Sequence, residues 1–208
     1  MATREFVRGT TRAEVVPFVP EVTLRVAGDP FGLWEETGRE PPPFWAFPWA
    51  GGQGLARYVL DHPGTVAGRR VLDIASGSGL VAIAAALAGA RHVYATDIDP
   101  CALAVMPVNA EANRVQIEPR VLDLETASGS GAFDVVLAAD VWYERTLARS
   151  ALGFLRRATK AGAEVLLSDP GRAFLPREEL HEVQSYDIPV IRALEDVDEK
   201  QVSVYRLR

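Results

Sequence analysis

The feature that constrains this chain most is the segment Val71-Leu72-Asp73-Ile74-Ala75-Ser76-Gly77-Ser78-Gly79, in which an apolar strand-like run stops in small residues and a second apolar run, 80 to 88, starts at once. A strand that turns directly into a helix opens a βαβ unit, and small residues at the turn let backbone and ligand approach closely. A glycine turn serving packing alone is the plainer alternative.

The rhythm continues along the chain. Strand-like runs are expected at 70–74, 92–96, 118–122, 133–138 and 163–167, and helical patterns at 80–87, 101–113, 144–158 and 177–184. Alternation of this kind means a parallel sheet with helices on both faces. The runs 188–194 and 201–207 have no helix between them and are expected to form an antiparallel hairpin at the sheet edge. Leu55, Tyr58 and Val59 recur at helical spacing over 54–60, and His62-Pro63-Gly64 stops that helix. Residues 1–43 are rich in turn formers and end in Pro41-Pro42-Pro43, so they read as an irregular N-terminal extension with one or two short strands or turns. At 208 residues the chain suits one α/β domain, with a doubly wound, mostly parallel, Rossmann-like sheet over about 44–208.

Composition narrows the partners. Hydrophobic residues at 48% and charged residues at 24% are ordinary for a soluble globular protein. A net charge of -6, with Lys and Arg scattered, offers no footprint for a nucleic-acid backbone. The longest apolar run is half of the roughly 20 residues a membrane span requires, and the N-terminus has no apolar export segment. Cys101 is the single cysteine, so no internal disulfide forms, and the Cys/His spacing of a zinc site is missing. A cytoplasmic protein without a structural metal is the expectation.

The strand ends carry the candidate site. Gly77, Gly79 and Ala82 also satisfy the G-x-G-x-x-A form of the dinucleotide fingerprint, so the choice of cofactor rests on Asp73. A carboxylate there crowds the pyrophosphate of a nicotinamide dinucleotide but suits the cationic amino group of S-adenosylmethionine; a structural hydrogen-bonding role is the alternative. Asp97, about twenty residues after the glycine loop, is placed to accept both ribose hydroxyls, with Ile98 beside it. Asp99 precedes Pro100 and reads as a helix N-cap. Asp123 is expected to accept the adenine amine while the N–H of Leu124 donates to the ring, unless Asp123 merely starts a loop. Asp140-Val141-Trp142-Tyr143-Glu144 lies at the fourth strand end, where substrate contacts are expected. Trp142 and Tyr143 read equally well as an apolar cap on the next helix, and Glu144 as an acid at its N-terminal turn.

Several segments narrow this to a family. Pro43-Phe44-Trp45-Ala46-Phe47-Pro48-Trp49-Ala50-Gly51-Gly52-Gln53, Thr96-Asp97-Ile98-Asp99-Pro100, 109–113, Asp140 to Tyr143 and Asp169-Pro170-Gly171-Arg172 resemble the electron transfer flavoprotein beta-subunit lysine methyltransferase family, over about residues 40–175. The family belongs to the seven-strand protein-lysine methyltransferases. The resemblance implies a class I methyltransferase fold, S-adenosylmethionine as cofactor and a protein lysine as acceptor. It also implies Trp49, Gly51, Gly52, Gln53, Ala75, Ile98 and Asp140 at the cofactor, and Asp140 and Tyr143 in the acceptor motif. Trp49 is suited to cover the sulfonium or the adenine, a hydrophobic plug over the sheet being the alternative.

Ala75 departs from the family, which usually has a glycine there, and this narrows the room at the methionine end. The similarity fades beyond Arg172. On this reading Asp140 and Tyr143 orient the incoming ammonium while Trp142 keeps the acceptor dry. A small-molecule amine or a ribosomal protein are other acceptors. The N-P-P-Y motif that some glutamine and adenine methyltransferases carry at this strand is absent, which argues against amide or base acceptors. A nicotinamide-dependent oxidoreductase lacks room here for a substrate domain, and a module that binds cofactor without turnover is the remaining alternative.

Overall fold

The computed structural model describes residues 3–37, 42–127, 133–190, 192 and 197–208. Among them one sheet has seven strands: β3 (Arg70–Ile74), β4 (His92–Asp97), β5 (Glu118–Val121), β6 (Val135–Ala139), β7 (Glu164–Asp169), β8 (Leu180–Pro189) and β9 (Glu199–Leu207), in the order β5-β4-β3-β6-β7-β9-β8. The first five run parallel, and β9 enters antiparallel between β7 and the edge strand β8. The doubly wound α/β sheet expected from the alternation is therefore present, hairpin included.

Strand periodicity sorts the core into two layers. Val71, Val135, Leu137 and Leu166 face one side, where α3 (Ala50–Asp61), α4 (Leu80–Leu87) and α5 (Pro100–Ala112) pack. Leu72, Ile74, Val136, Ala138 and Leu167 face the other, against Phe154 and Leu155 of α6 (Arg145–Lys160). Two caps are as the sequence suggests. Asp99 accepts from the Cys101 N–H at 2.8 Å with Pro100 in the first helical position, and Glu144 accepts from the Thr146 N–H at 3.0 Å.

The expected helix over 177–184 does not form. A 3-10 turn, Arg177–Glu179, leads straight into β8, whose residues from Leu180 to Pro189 pair with β9. Leu180 and Val183 are too few apolar residues for a helical stripe, and the free edge of β9 rewards Val183, Tyr186 and Ile188 as a strand. Of the run 188–194, Ile188 and Pro189 end that strand and the Val190 N–H donates to the Asp198 carbonyl at 3.0 Å; 191 and 193–194 lie outside the described residues.

The N-terminal extension is more regular than its composition suggests. It holds α1 (Arg4–Thr10), the antiparallel pair β1 (Arg12–Val16) and β2 (Val19–Val26), and α2 (Pro30–Thr37). Asn109 of α5 and Asn113, the residue that caps its C-terminus, fasten it. Asn113 accepts from the Thr23 N–H at 2.8 Å, and the fully buried Asn109 accepts from the Arg25 N–H at 2.8 Å while donating to the Ser78 carbonyl at 2.8 Å. Asn109 thus ties the N-terminal hairpin to the glycine loop.

Helix α3 begins four residues before its apolar pattern, so Gly51, Gly52 and Gln53 form its first turn. Its far face presses on the β8–β9 hairpin at Gly54, where a Cβ would stand 2.7 Å from Val202 Cγ1 and 3.2 Å from Ile188 Cδ1. Both neighbours are fully buried. Overpacking costs about 1–3 kcal/mol and alanine gains about 1 kcal/mol over glycine in a helix. Gly54→Ala is accordingly expected to be destabilising by about 1 kcal/mol, seen as a lower urea midpoint at unchanged slope; a raised midpoint would show that Val202 yields.

Candidate active site

The strand order turns at β3, which lies between β4 and β6, and a crevice opens past the carboxyl ends of strands at such a point. A cavity of about 340 Å³ sits there, within the range of small-molecule sites. Its walls carry four carboxylates, Asp73, Asp97, Asp99 and Asp140, against one arginine, Arg172.

The floor is the turn from β3 into α4. Its backbone takes left-handed angles at Ala75 (φ +49°), Gly77 (+52°) and Gly79 (+82°). Glycine accepts these without penalty, whereas Ala75 carries a Cβ in the strained region and also lines the cavity. Asp73, 1% exposed, accepts from the Ser76 hydroxyl at 2.6 Å, and the Thr96 hydroxyl donates to the Asp73 carbonyl at 2.9 Å. Burial pushes the Asp73 carboxyl up to about 7; the Ser76 hydroxyl and a backbone contact at Ala82 oppose this, and the charge of Asp97 adds to it.

Asp97 joins the two strand ends. One oxygen accepts from the Gly77 N–H at 2.9 Å and the other from the Asp99 N–H at 2.9 Å. Burial raises its carboxyl, and the Asp99 and Gly77 N–H groups hold that rise back. Ile98 beside it is 64% exposed and lines the cavity, an unusual place for an aliphatic side chain unless something covers it.

Asp140 closes the opposite side. Its backbone is left-handed at φ +57°, and its N–H donates to the Ser168 carbonyl at 3.2 Å. The carboxylate accepts from the Gly52 N–H at 2.9 Å and from the Arg172 guanidinium. It thereby serves the N-terminus of α3, whose own N-cap, Trp49, offers no side-chain bond. Gly51 is required for this, since a Cβ there would stand 2.5 Å from the Asp140 carboxylate. The Ser168 hydroxyl donates to the Gly51 carbonyl at 2.7 Å, completing the seam.

An aromatic wall faces these groups. The Trp49 indole N–H donates to the Phe44 carbonyl at 2.8 Å, Phe44 meets Trp49 edge to face at 5.7 Å, and Phe44 lies 5.4 Å from the Tyr143 ring. Tyr143 is half-exposed, and burial, then the charges of Asp97 and Glu144, raises its phenol.

The cavity therefore brings together Trp49, Gly52, Asp73, Ala75, Gly77, Asp97, Ile98, Asp140 and Tyr143 among the expected site residues. Others stand behind it. Gly51 packs on Asp140, and Gly79 caps α4. Buried Gln53 braces the chain by accepting from the Phe18 N–H and donating to the Pro48 carbonyl. Asp123 accepts from the Glu125 N–H at 2.9 Å and the Thr126 hydroxyl at 3.2 Å, which makes it the start of a turn, and Leu124 packs in the core under α6. Trp142 does not reach the cavity. It is fully buried in the core layer on the α6 side, where the chain has already left β6, so it cannot dry an acceptor at the rim. Sequence reasoning assigned Arg172 no role of its own; its signals were its place just past a strand end and in the segment Asp169-Pro170-Gly171-Arg172 that resembles the family.

Comparisons with known proteins agree with this geometry. A model of the ribosomal protein L11 methyltransferase family (PrmA) matches residues 58–142, the stretch that holds the glycine loop. The electron transfer flavoprotein beta subunit lysine methyltransferase of Danio rerio is 39% identical over 178 residues, covering 82% of this chain and 69% of that protein. The chain belongs to this lysine methyltransferase family. The human member is 36% identical over 181 residues, covering 81% and 68% of the two chains. Solved structures share the fold at lower identity. A Pyrococcus abyssi tRNA (uracil-54, C5)-methyltransferase with bound S-adenosyl-L-homocysteine matches at TM-score 0.62 and 16% identity, over 96% of this chain and 44% of that one. The magnesium protoporphyrin IX methyltransferase of Synechocystis with bound S-adenosylmethionine matches at 0.54 and 18%, over 76% and 79%. The chain is thus a methyltransferase on a class I fold.

Burial of Asp73 has a consequence for stability. A carboxyl raised in the fold favours its neutral form, so this contribution is fully present below about pH 4 and is lost as pH climbs through about 7. Thermal melts at pH 5 and pH 8 are expected to show a smaller difference in Asp73→Asn than in the parent chain, and an equal difference would contradict the assignment.

Proposed function

We propose that this methyltransferase uses S-adenosylmethionine to methylate lysine side chains of a protein, with the electron transfer flavoprotein beta subunit as the leading acceptor. The observation that carries the cofactor is the four-to-one excess of aspartate over arginine around the cavity, with Asp73 buried at its floor. A nicotinamide dinucleotide would bring a pyrophosphate into that field, whereas a sulfonium with an α-ammonium group is cationic at both points. The acceptor rests on the relatives named for that lysine activity.

When bound, S-adenosylmethionine supplies a methyl group on a positively charged sulfur. In this reading Asp73 holds the α-ammonium group, and Asp97 accepts the ribose hydroxyls on lone pairs that Gly77 and Asp99 leave open. Ile98 covers one face of the adenine, while Asp123 and Leu124, which stand behind the cavity, take no part in this reading. Gly77 and Gly52 keep backbone close to the ligand on either side. Trp49 and Phe44 exclude water from the reacting end, a task the buried Trp142 cannot perform.

A lysine amine must lose its proton before it attacks, at a cost of about 4.6 kcal/mol at pH 7 for an unperturbed group. Asp140 and the Tyr143 hydroxyl orient the incoming ammonium, and its proton leaves with solvent water as the side chain enters between the aromatic rings. A bound S-adenosylmethionine would supply the methyl carbon to that amine lone pair, with the electrons of the broken sulfur–carbon bond staying on sulfur.

A ribosomal protein is the second acceptor to consider, because the family match over 58–142 carries that description. We take the chain to act as a single methyltransferase domain in the cytoplasm, where its one cysteine, the buried Cys101, stays reduced. Among the described residues no helix is long and apolar enough to cross a membrane.

Incubation of purified protein with labelled S-adenosylmethionine and the electron transfer flavoprotein, followed by peptide mapping, is expected to place the label on lysines of the beta subunit. Label on a ribosomal protein or on small amines alone would redirect the reading. Asp140→Asn keeps an acceptor for the Gly52 N–H and is expected to lower turnover at least tenfold while cofactor affinity changes less than twofold, since a group lost from the transition state alone costs rate and not ground-state binding.

A further inference from the structure

The acceptor site as read above contains a conflict. A carboxylate beside the acceptor attracts an ammonium group but also favours keeping it protonated, and only the neutral amine is a nucleophile. Asp140 does not stand there alone.

The turn after β7 is built to bring a guanidinium to it. Asp169, buried at the end of that strand, accepts from the N–H groups of Gly171 and Arg172 through one oxygen. Gly171 takes φ +89°, which reverses the chain, and Arg177 donates to the Gly171 carbonyl at 3.0 Å from outside. The reversal sends the Arg172 side chain back over the sheet rim into the cavity wall, where it donates to Asp140 and lies 3.7 Å from the second Asp169 oxygen. Among the described residues that second oxygen accepts no hydrogen bond, so its electrostatic partner is Arg172. The side chains of the Asp140 and Arg172 pair are only 12% and 21% exposed, so solvent screens their charges weakly.

We propose that Arg172 is a positioning residue for methyl transfer, which pins the Asp140 carboxylate against the N-terminus of α3 and offsets part of its charge, so that the acceptor amine meets an oriented acceptor of hydrogen bonds with a weaker hold on its proton. The inference rests on the reading of Asp140 as an acceptor-site group. It explains why the strained backbone at Asp140 is held from three directions, by Gly52, by Ser168 and by Arg172. Other charged and titratable groups around the pair are Asp169 on the same turn, Tyr143 and Glu144 past β6, Asp97 and Asp99 past β4, and Asp73 on the floor; the first turn of α3 presents no acid.

The test is kcat against pH at saturating S-adenosylmethionine with the electron transfer flavoprotein as acceptor, because kcat reports groups in the bound complex. Arg172→Gln removes the charge, keeps a hydrogen-bond donor and is expected to move the acidic limb up by about one pH unit. Turnover then falls about tenfold at pH 7 and mostly returns at pH 9. Arg172→Lys restores the charge and is expected to keep the limb close to that of the parent enzyme, with a lower plateau from the lost planar fork. A loss by the same factor at every pH in Arg172→Gln would overturn the proposal and leave Arg172 a purely structural brace. If that happens while Asp140→Asn still loses turnover, the acceptor-site reading survives; full turnover in Asp140→Asn would overturn both.

Discussion

Everything about this site depends on carboxylates placed where water cannot fully reach them, and Asp73 is the extreme case. A buried acid costs several kcal/mol unless it is protonated, paired or hydrogen-bonded. One hydroxyl from Ser76 answers only part of that demand, and no basic side chain stands on the floor of the cavity to answer the rest. The carboxyl rim of the sheet therefore carries an excess of negative groups, a field that suits a cationic ligand. Fold and function meet at this point, because the turn that buries Asp73 is the same turn that exposes the Gly77 backbone.

The second constraint is the seam between α3 and the ends of β6 and β7. A helix N-terminus without a side-chain cap needs an acceptor from elsewhere, and Asp140 supplies it across the cavity. Gly51 and Gly52 are the condition for that approach, Ser168 fastens the same turn from the other strand, and Arg172 pairs with the Asp140 carboxylate. The aromatic run 44–49 then hangs from the helix start, held by the indole N–H of Trp49. Movement of α3 would disturb the acceptor side and the water-excluding wall together, which makes this helix a structural element of the site and more than a flank of the sheet.

The sheet was legible because its signals are local. Short apolar runs at 70–74 and 133–138, the glycine turn between β3 and α4, and the caps at Asp99 and Glu144 each declare themselves within a few residues. What the sequence hid was whatever depends on partners far along the chain. Residues 180–184 have no strong pattern of their own and become strand only because β9 offers an edge. Gly51 and Gly52 fell before the helix expected over 54–60, since the partner of their helical turn is an aspartate 88 residues away from Gly52. Trp142 looked like a site residue by proximity to Asp140, yet the chain leaves β6 at the left-handed Asp140 and buries Trp142 in the core layer against α6. Asn109 and Arg172 stood in segments that resemble the family, yet their roles stayed hidden, because a hydrogen bond to a distant loop carbonyl or to another side chain is not written in the local sequence.

The central claim is that Asp73 is held partly protonated by burial and ionises against a cationic ligand. Calorimetric titration of the protein with S-adenosylmethionine at pH 6, in buffers of different ionisation enthalpy, measures the protons exchanged on binding. The account predicts release of a substantial fraction of one proton per site, abolished in Asp73→Asn. Binding heats that do not depend on the buffer, or that depend on it equally in the asparagine variant, would contradict it.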